Sequence, residues 1–187
     1  MSIRTYLLLA IIIGVIAQYP SLAPYLNWDR NAILDGEIWR IVTGNITHTN
    51  WPHLIMNSIG FIIITFIFRR HFQPKIYTLV IFTLSMAIGI GLFATSILWY
   101  AGFSGVLHGL FAWGAVKDIQ SKNKEGYLLL LALAAKVGWD CFSGGSTESA
   151  SLIGAHVAVQ AHLIGAITGT FIGLSSYIQK NENSYRE

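Results

Sequence analysis

Two residues in this chain are of types that could do covalent chemistry together. Ser104 stands in Gly102-Phe103-Ser104-Gly105 at the head of an apolar run, and His162 interrupts a later one. A serine hydroxyl beside an imidazole is a nucleophile with a base that takes its proton and later returns it as an acid. The run from Gly102 to Val116 rises only about 22 Å as a helix, less than a hydrocarbon core of roughly 30 Å. Its start is therefore expected below the outer surface, where irregular backbone is tolerated only in contact with protein or water. A serine at a helix start also meets free backbone N–H groups and the positive end of the helix dipole, which are the groups that stabilise an oxyanion. Gly165 and Gly169 follow His162 at i+3 and i+7, and Gly105 and Gly109 lie four apart beside Ser104. Two such small-residue faces let helices approach closely enough to join Oγ to imidazole. The plainer readings are helix packing for the Gly-x-Ser-Gly motif and a satisfied packing histidine for His162; both stay open at this point.

A third element is His53-Leu54-Ile55-Met56-Asn57, whose His and Asn at i and i+4 share a helix face and can both donate toward developing negative charge. Metal binding competes, since His48, His53, His108, His156 and His162 are numerous. However, no carboxylate or Cys stands with them at usual ligand spacing, and His48 and His53 would point about 140° apart on a helix. No metal and no other cofactor is expected. A lone cysteine, Cys141, excludes an internal disulfide framework and Cys-based zinc clusters.

The elements that must position these residues are apolar. Of 187 residues, 53% are hydrophobic and 11% charged, with a mean hydropathy of +0.55; a soluble domain carries roughly 25% charged residues. Six apolar blocks run from Thr5 to Ala17, Leu54 to Phe68, Ile76 to Tyr100, Gly102 to Val116, Tyr127 to Phe142 and Ala150 to Tyr177. The expected fold is an all-α, six-helix membrane bundle forming one domain over residues 1–187, with no internal repeat. The first block is read as a retained helix rather than a cleaved signal, because no small-x-small site precedes Gln18. Placing alternate connections inside assigns Arg4, Arg69, Arg70, Lys75, Lys117, Lys122, Lys124, Lys180 and Arg186 to the cytoplasm, against Arg30 and Arg40 outside. Both termini are thus expected in the cytoplasm. The external segment from Pro20 to Pro52 carries Trp28, Trp39 and Trp51, suited to the membrane interface. Net charge is +3 without a dense basic patch, so nucleic acid is not an expected partner.

Taken together, these residues resemble the rhomboid intramembrane serine proteases. The likeness runs from Glu37 to Gly169: Glu37-x-Trp39-Arg40, His48, His53-x-x-x-Asn57, Gly102-x-Ser104-Gly105 and Ala161-His162-x-x-Gly165-x-x-x-Gly169. The resemblance implies Ser104 as nucleophile, His162 as base, and His53 and Asn57 as oxyanion donors with the backbone N–H groups of Ser104 and Phe103. It also implies a scaffold role for His48 and the Glu37/Arg40 pair. The position four after the serine is His108, where many rhomboids have tyrosine.

That difference is similar to rhombosortase, a bacterial rhomboid branch, as are Asn50-Trp51-Pro52-His53, Lys136-x-x-Trp139-Asp140 and Gln160-Ala161-His162-Leu163. This resemblance implies substrates that are exported proteins bearing a C-terminal Gly-Gly motif, a hydrophobic helix and a basic end. They would be cut on the periplasmic side of the inner membrane, and many would leave by type II secretion. Membrane lipid and the substrate's membrane tail are the implied partners. His108, one turn after Ser104, fits a second base, a pocket donor or a stacking support for His162, with support favoured. His156 is read as structural. Lys136 and Asp140 at i and i+4 read as an ion pair, or with Trp139 and Gln160 as contacts for the substrate tail. The alternatives to a tail-processing protease are a general rhomboid protease with other membrane substrates and an inactive rhomboid-like protein that binds membrane helices. A transporter would need a matching broken span in another half of the chain, and none is visible.

Overall fold

Side chains able to cap a helix stand before several apolar blocks, and helices begin there. Ser2 accepts from the Thr5 N–H, Asn50 from the His53 N–H and Ser146 from the Ser149 N–H. The computed structural model describes residues 1–184 and is mostly helical. In chain order it contains α1 (Ile3–Ala17), α2 (Ala23–Leu26), β1 (Trp28–Asp29), α3 (Arg30–Leu34), α4 (Arg40–Thr43), α5 (Trp51–Ile67), α6 (Pro74–Gly91), β2 (Trp99–Tyr100), α7 (Ser104–Gln120), α8 (Glu125–Ser143), α9 (Thr147–Ile153) and α10 (Val159–Ser184).

Helix α7 is the centre of the bundle. It packs against α5, α6, α8 and α10, and residues on all its sides are buried, among them Val106, Leu110, Ala112, Trp113 and Val116. A helix enclosed all round must be surrounded by others. Those others, and α1 outside them, turn apolar residues outward: Leu8, Ile63, Leu79, Leu128, Leu131 and Phe171 are all exposed. So much outward apolar surface suits lipid rather than water. The α6 segment Pro74–Ala94 and α8 are long and apolar enough to cross a membrane, while α1, α5 and Val159–Ser175 of α10 are shorter apolar helices.

The segment between α1 and α5 is built around two arginines. Arg40 is buried; its Nε pairs with Glu37 at 2.5 Å, and Nη1 donates to the carbonyls of Pro24 and Asn27. Arg30 donates to the carbonyls of Leu92, Phe93, Thr95 and Ile97, which gives partners to the unpaired C-terminal carbonyls beyond α6. Trp39 and Trp51 are half exposed, but Trp28 departs from the expected interfacial setting. It is fully buried, and its indole N–H donates to Gly89 O at 2.9 Å. The pairing of β1 with β2 draws it inward.

Beyond small shifts at the helix ends, some expected blocks have clearly different bounds. The Ile76–Tyr100 block ends as a helix at Gly91, since Arg30 holds the following segment as a clamped turn leading to β2. The block expected to stop at Val116 continues as α7 to Gln120, because Asp118 bonds His71 at 2.7 Å and Gln120 donates to Gly173 O at 2.7 Å. The Ala150–Tyr177 block is two helices, broken at Gly154, whose φ of +64° ends α9 in the left-handed conformation. His156 therefore lies in a connection and not on the helix of His162. Arg186, one of the charges assigned to the inside, lies outside the described residues.

Candidate active site

Ser104 is the first residue of α7, and the turn before it is held from several directions. Tyr100, paired with Trp28 across the two-stranded sheet, donates its hydroxyl proton to the carbonyl of Gly102. The Gly102 N–H donates to Gly44 O at 3.1 Å. Gly102 has φ +152°, and a Cβ there would meet Cε1 of His53 at 2.9 Å. Glycine thus permits both the backbone conformation and the approach of the His53 ring to the serine turn.

His162 comes from α10, which packs most extensively on α7. A Cβ on Gly165 would stand 2.0 Å from Gly105 O, and one on Gly169 2.0 Å from Gly109 O, so the two glycine faces lie backbone to backbone. Because α10 starts at Val159, His162 occupies its first turn and not the middle of a span. There Ser104 Oγ lies 2.8 Å from His162 Nε2. His108 stacks on His162 with ring centroids 4.1 Å apart and planes 13° from parallel. Its Nδ1 lies 2.7 Å from the backbone oxygen of Ser104; that oxygen can only accept, so Nδ1 carries the proton.

These groups line one cavity of about 690 Å³, which His53, Asn57, Lys136, Asp140 and Gln160 also face. Asn57 is buried, and its Nδ2 has no hydrogen-bond partner among the described residues. His53 Nδ1 faces the Thr49 hydroxyl at 3.0 Å, which leaves Nε2 on the Gly102 side. His48 packs edge-on to His53, with centroids 5.0 Å apart; burial, helped by the nearby His53, pushes it down to about 3 and keeps it neutral. The Phe103 ring packs edge-on against Phe61, so only its backbone is available to the site. Trp139 is exposed on the outer face of α8, near Phe142, and is not part of the cavity wall. His156 is exposed at the cavity wall.

One association was invisible in the spacing. Asp140 is buried, receives a hydrogen bond from the Lys136 ammonium, and places Oδ2 3.5 Å from His162 Nδ1. His108, Asp140 and His162 bring ligand-type atoms within 4.8 Å of one another, which corrects the expectation that no carboxylate stands with the histidines. The donors are already engaged in other ways: Lys136 holds the carboxylate and Ser104 faces Nε2. That arrangement suits proton transfer. The clamp by Arg30 was also missed, because an isolated arginine in a polar loop carries no signal of the carbonyls it will meet.

Residues 35–178 match the rhomboid domain family. The chain is also similar to YdcA of Bacillus subtilis (strain 168), a candidate rhomboid protease. The two are 26% identical over 161 residues, covering 82% of this chain and 74% of the relative.

Proposed function

The chain belongs to the rhomboid family, and from that premise we propose that it is an intramembrane serine protease with Ser104 as nucleophile and His162 as general base. The observation that carries this reading is the 2.8 Å approach of Ser104 Oγ to His162 Nε2 at the start of α7. In the reaction Oγ bonds to the scissile carbonyl carbon while its proton moves to Nε2. The resulting oxyanion faces Asn57 Nδ2, His53 and the backbone N–H groups of Phe103 and Ser104. The C–N bond then breaks, the leaving amine takes the proton from Nε2, and water activated by the same imidazole releases the acyl group. The Asn57 amide supports this assignment, since its Nδ2 is bonded to no other protein group among the described residues and lines the cavity, where it can donate to the oxyanion. His108 supports the imidazole by stacking, and its bond to the Ser104 carbonyl fixes the stack.

The substrate class we propose is the C-terminal tail of exported proteins, with a Gly-Gly motif before a hydrophobic helix and a basic end. Cleavage would take place at the periplasmic face of the inner membrane, and type II secretion would then carry off many of the products. A Gly-Gly segment, which carries no side chains, suits a cavity whose wall includes the His108–His162 stack and Gln160. The test is cleavage, by protein in lipid vesicles, of a reporter with such a tail beside the same reporter with alanines for the glycines. Preference for the glycine tail, lost in Ser104→Ala, is the expected result. Equal cleavage of both would reduce the reading to a general rhomboid protease, and cleavage of neither would favour a helix-binding protein.

A further inference from the structure

Resting on the reading of Ser104 and His162 as nucleophile and base, we propose that Asp140 is a positioning residue for His162, in a Ser104–His162–Asp140 triad whose carboxylate is held by Lys136. When Nε2 accepts the serine proton, the neutral imidazole carries its own proton on Nδ1. That Nδ1 is buried and has no hydrogen-bond partner among the described residues, and Asp140 Oδ2 stands 3.5 Å in front of it. This is longer than a formed hydrogen bond, as catalytic contacts often are before substrate binds. The groups around the ring divide its atoms among them. From α7, Ser104 faces Nε2, while His108 stacks on the ring with Nδ1 given to the Ser104 carbonyl. From α8, Asp140 and Lys136 face the Nδ1 side.

Asp140 is 3% exposed, and a carboxylate so enclosed stays charged only with a partner. Lys136 supplies it through the same Oδ2, with its own side chain 56% exposed at the cavity. The carboxylate is thereby fixed in position and kept ionised. In that state it selects the imidazole tautomer with the proton on Nδ1, orients Nε2 toward Ser104 and balances the imidazolium formed during attack. A simple ion pair within α8 would need neither the burial of Asp140 nor its direction toward α10.

The experiment measures inactivation by a fluorophosphonate probe, resolving the maximal rate kinact from the half-saturating concentration KI. It is run on the full chain in lipid nanodiscs, with thermal unfolding recorded in parallel. Asp140→Asn should lower kinact by at least about ten-fold with KI unchanged, and Asp140→Glu should label faster than Asp140→Asn. The pair Lys136→Met with Asp140→Asn removes both charges, so neither is left without its partner. It should stay as slow as Asp140→Asn, because His162 still lacks its acceptor. Return of the pair to the wild-type rate would overturn the proposal in favour of a structural ion pair. A raised KI at constant kinact would overturn it in favour of a substrate contact. Ser104→Ala separates the two levels of the account: labelling that persists there removes the serine reading itself, whereas its loss together with a wild-type rate in Asp140→Asn removes only the role of Asp140.

Discussion

Gly165 lies against the carbonyl of Gly105 so closely that a Cβ on it would be 2.0 Å from that oxygen. The contact is between backbones of the two helices that carry Ser104 and His162, and it sets the distance between them. Gly165→Val must push α10 away from α7. We expect activity to fall by at least about 10², since misplacement of about 1 Å is that costly, and stability to fall by about 1–3 kcal/mol from overpacking. Gly138→Ala, on α8 with open space around it, should change neither. Cleavage assays and thermal unfolding of both variants check this; an active Gly165→Val would show that the close approach is dispensable.

Asn57→Ala should lower the rate of cleavage by about 10²–10³ with little change in KM, the loss expected of one preorganised donor. Its Nδ2 has no hydrogen-bond partner among the described residues, so the loss should not be accompanied by unfolding. His53→Ala should behave alike, though Thr49 then loses its ring partner. A raised KM at constant kcat would mark either residue as a substrate contact.

His108→Tyr keeps an aromatic ring against His162 and should retain measurable activity, while His108→Ala should lose more. A proton-transferring His108 would make the two equally inactive, because tyrosine, with an unperturbed pKa near 10, is no base near neutral pH. Steady-state rates from pH 5 to 9 add a second criterion. Loss of a support lowers the height of the kcat/KM profile, whereas loss of a titrating base removes or moves its acidic limb.

Much of this site is legible in the sequence because its signals are local. Spacings such as Gly105/Gly109, Gly165/Gly169 and His53/Asn57 place residues on one face of a helix whatever the tertiary fold. The α9–α10 break is not legible in the same way. Gly154 stops a helix inside an apolar run, and hydropathy averaged over the run hides it. Trp28 reads as interfacial until strand pairing buries it, and Asp140 reads as a partner of Lys136 until α10 brings His162 alongside. Each of these depends on contacts between distant segments, for which composition and periodicity carry no information.

Arg30 illustrates the same point energetically. Arg30→Ala would strand several carbonyls between Leu92 and Ile97 that its guanidinium now satisfies, at a cost of at least about 2 kcal/mol. Arg30→Lys should recover only part, since an ammonium cannot reproduce the planar fork. Thermal unfolding in detergent checks both variants, and wild-type stability in Arg30→Ala would show that the clamp is not needed.

The most direct test of the central claim is a double-mutant comparison of cleavage by wild type, Ser104→Ala, His162→Ala and the variant carrying both, each reconstituted in lipid and scored on one Gly-Gly-tailed reporter. A nucleophile and its base act as one unit, so either single change should abolish cleavage and the double should be no worse than either. Cleavage by Ser104→Ala well above the uncatalysed background, or losses from the two single changes that simply multiply in the double, would contradict the account.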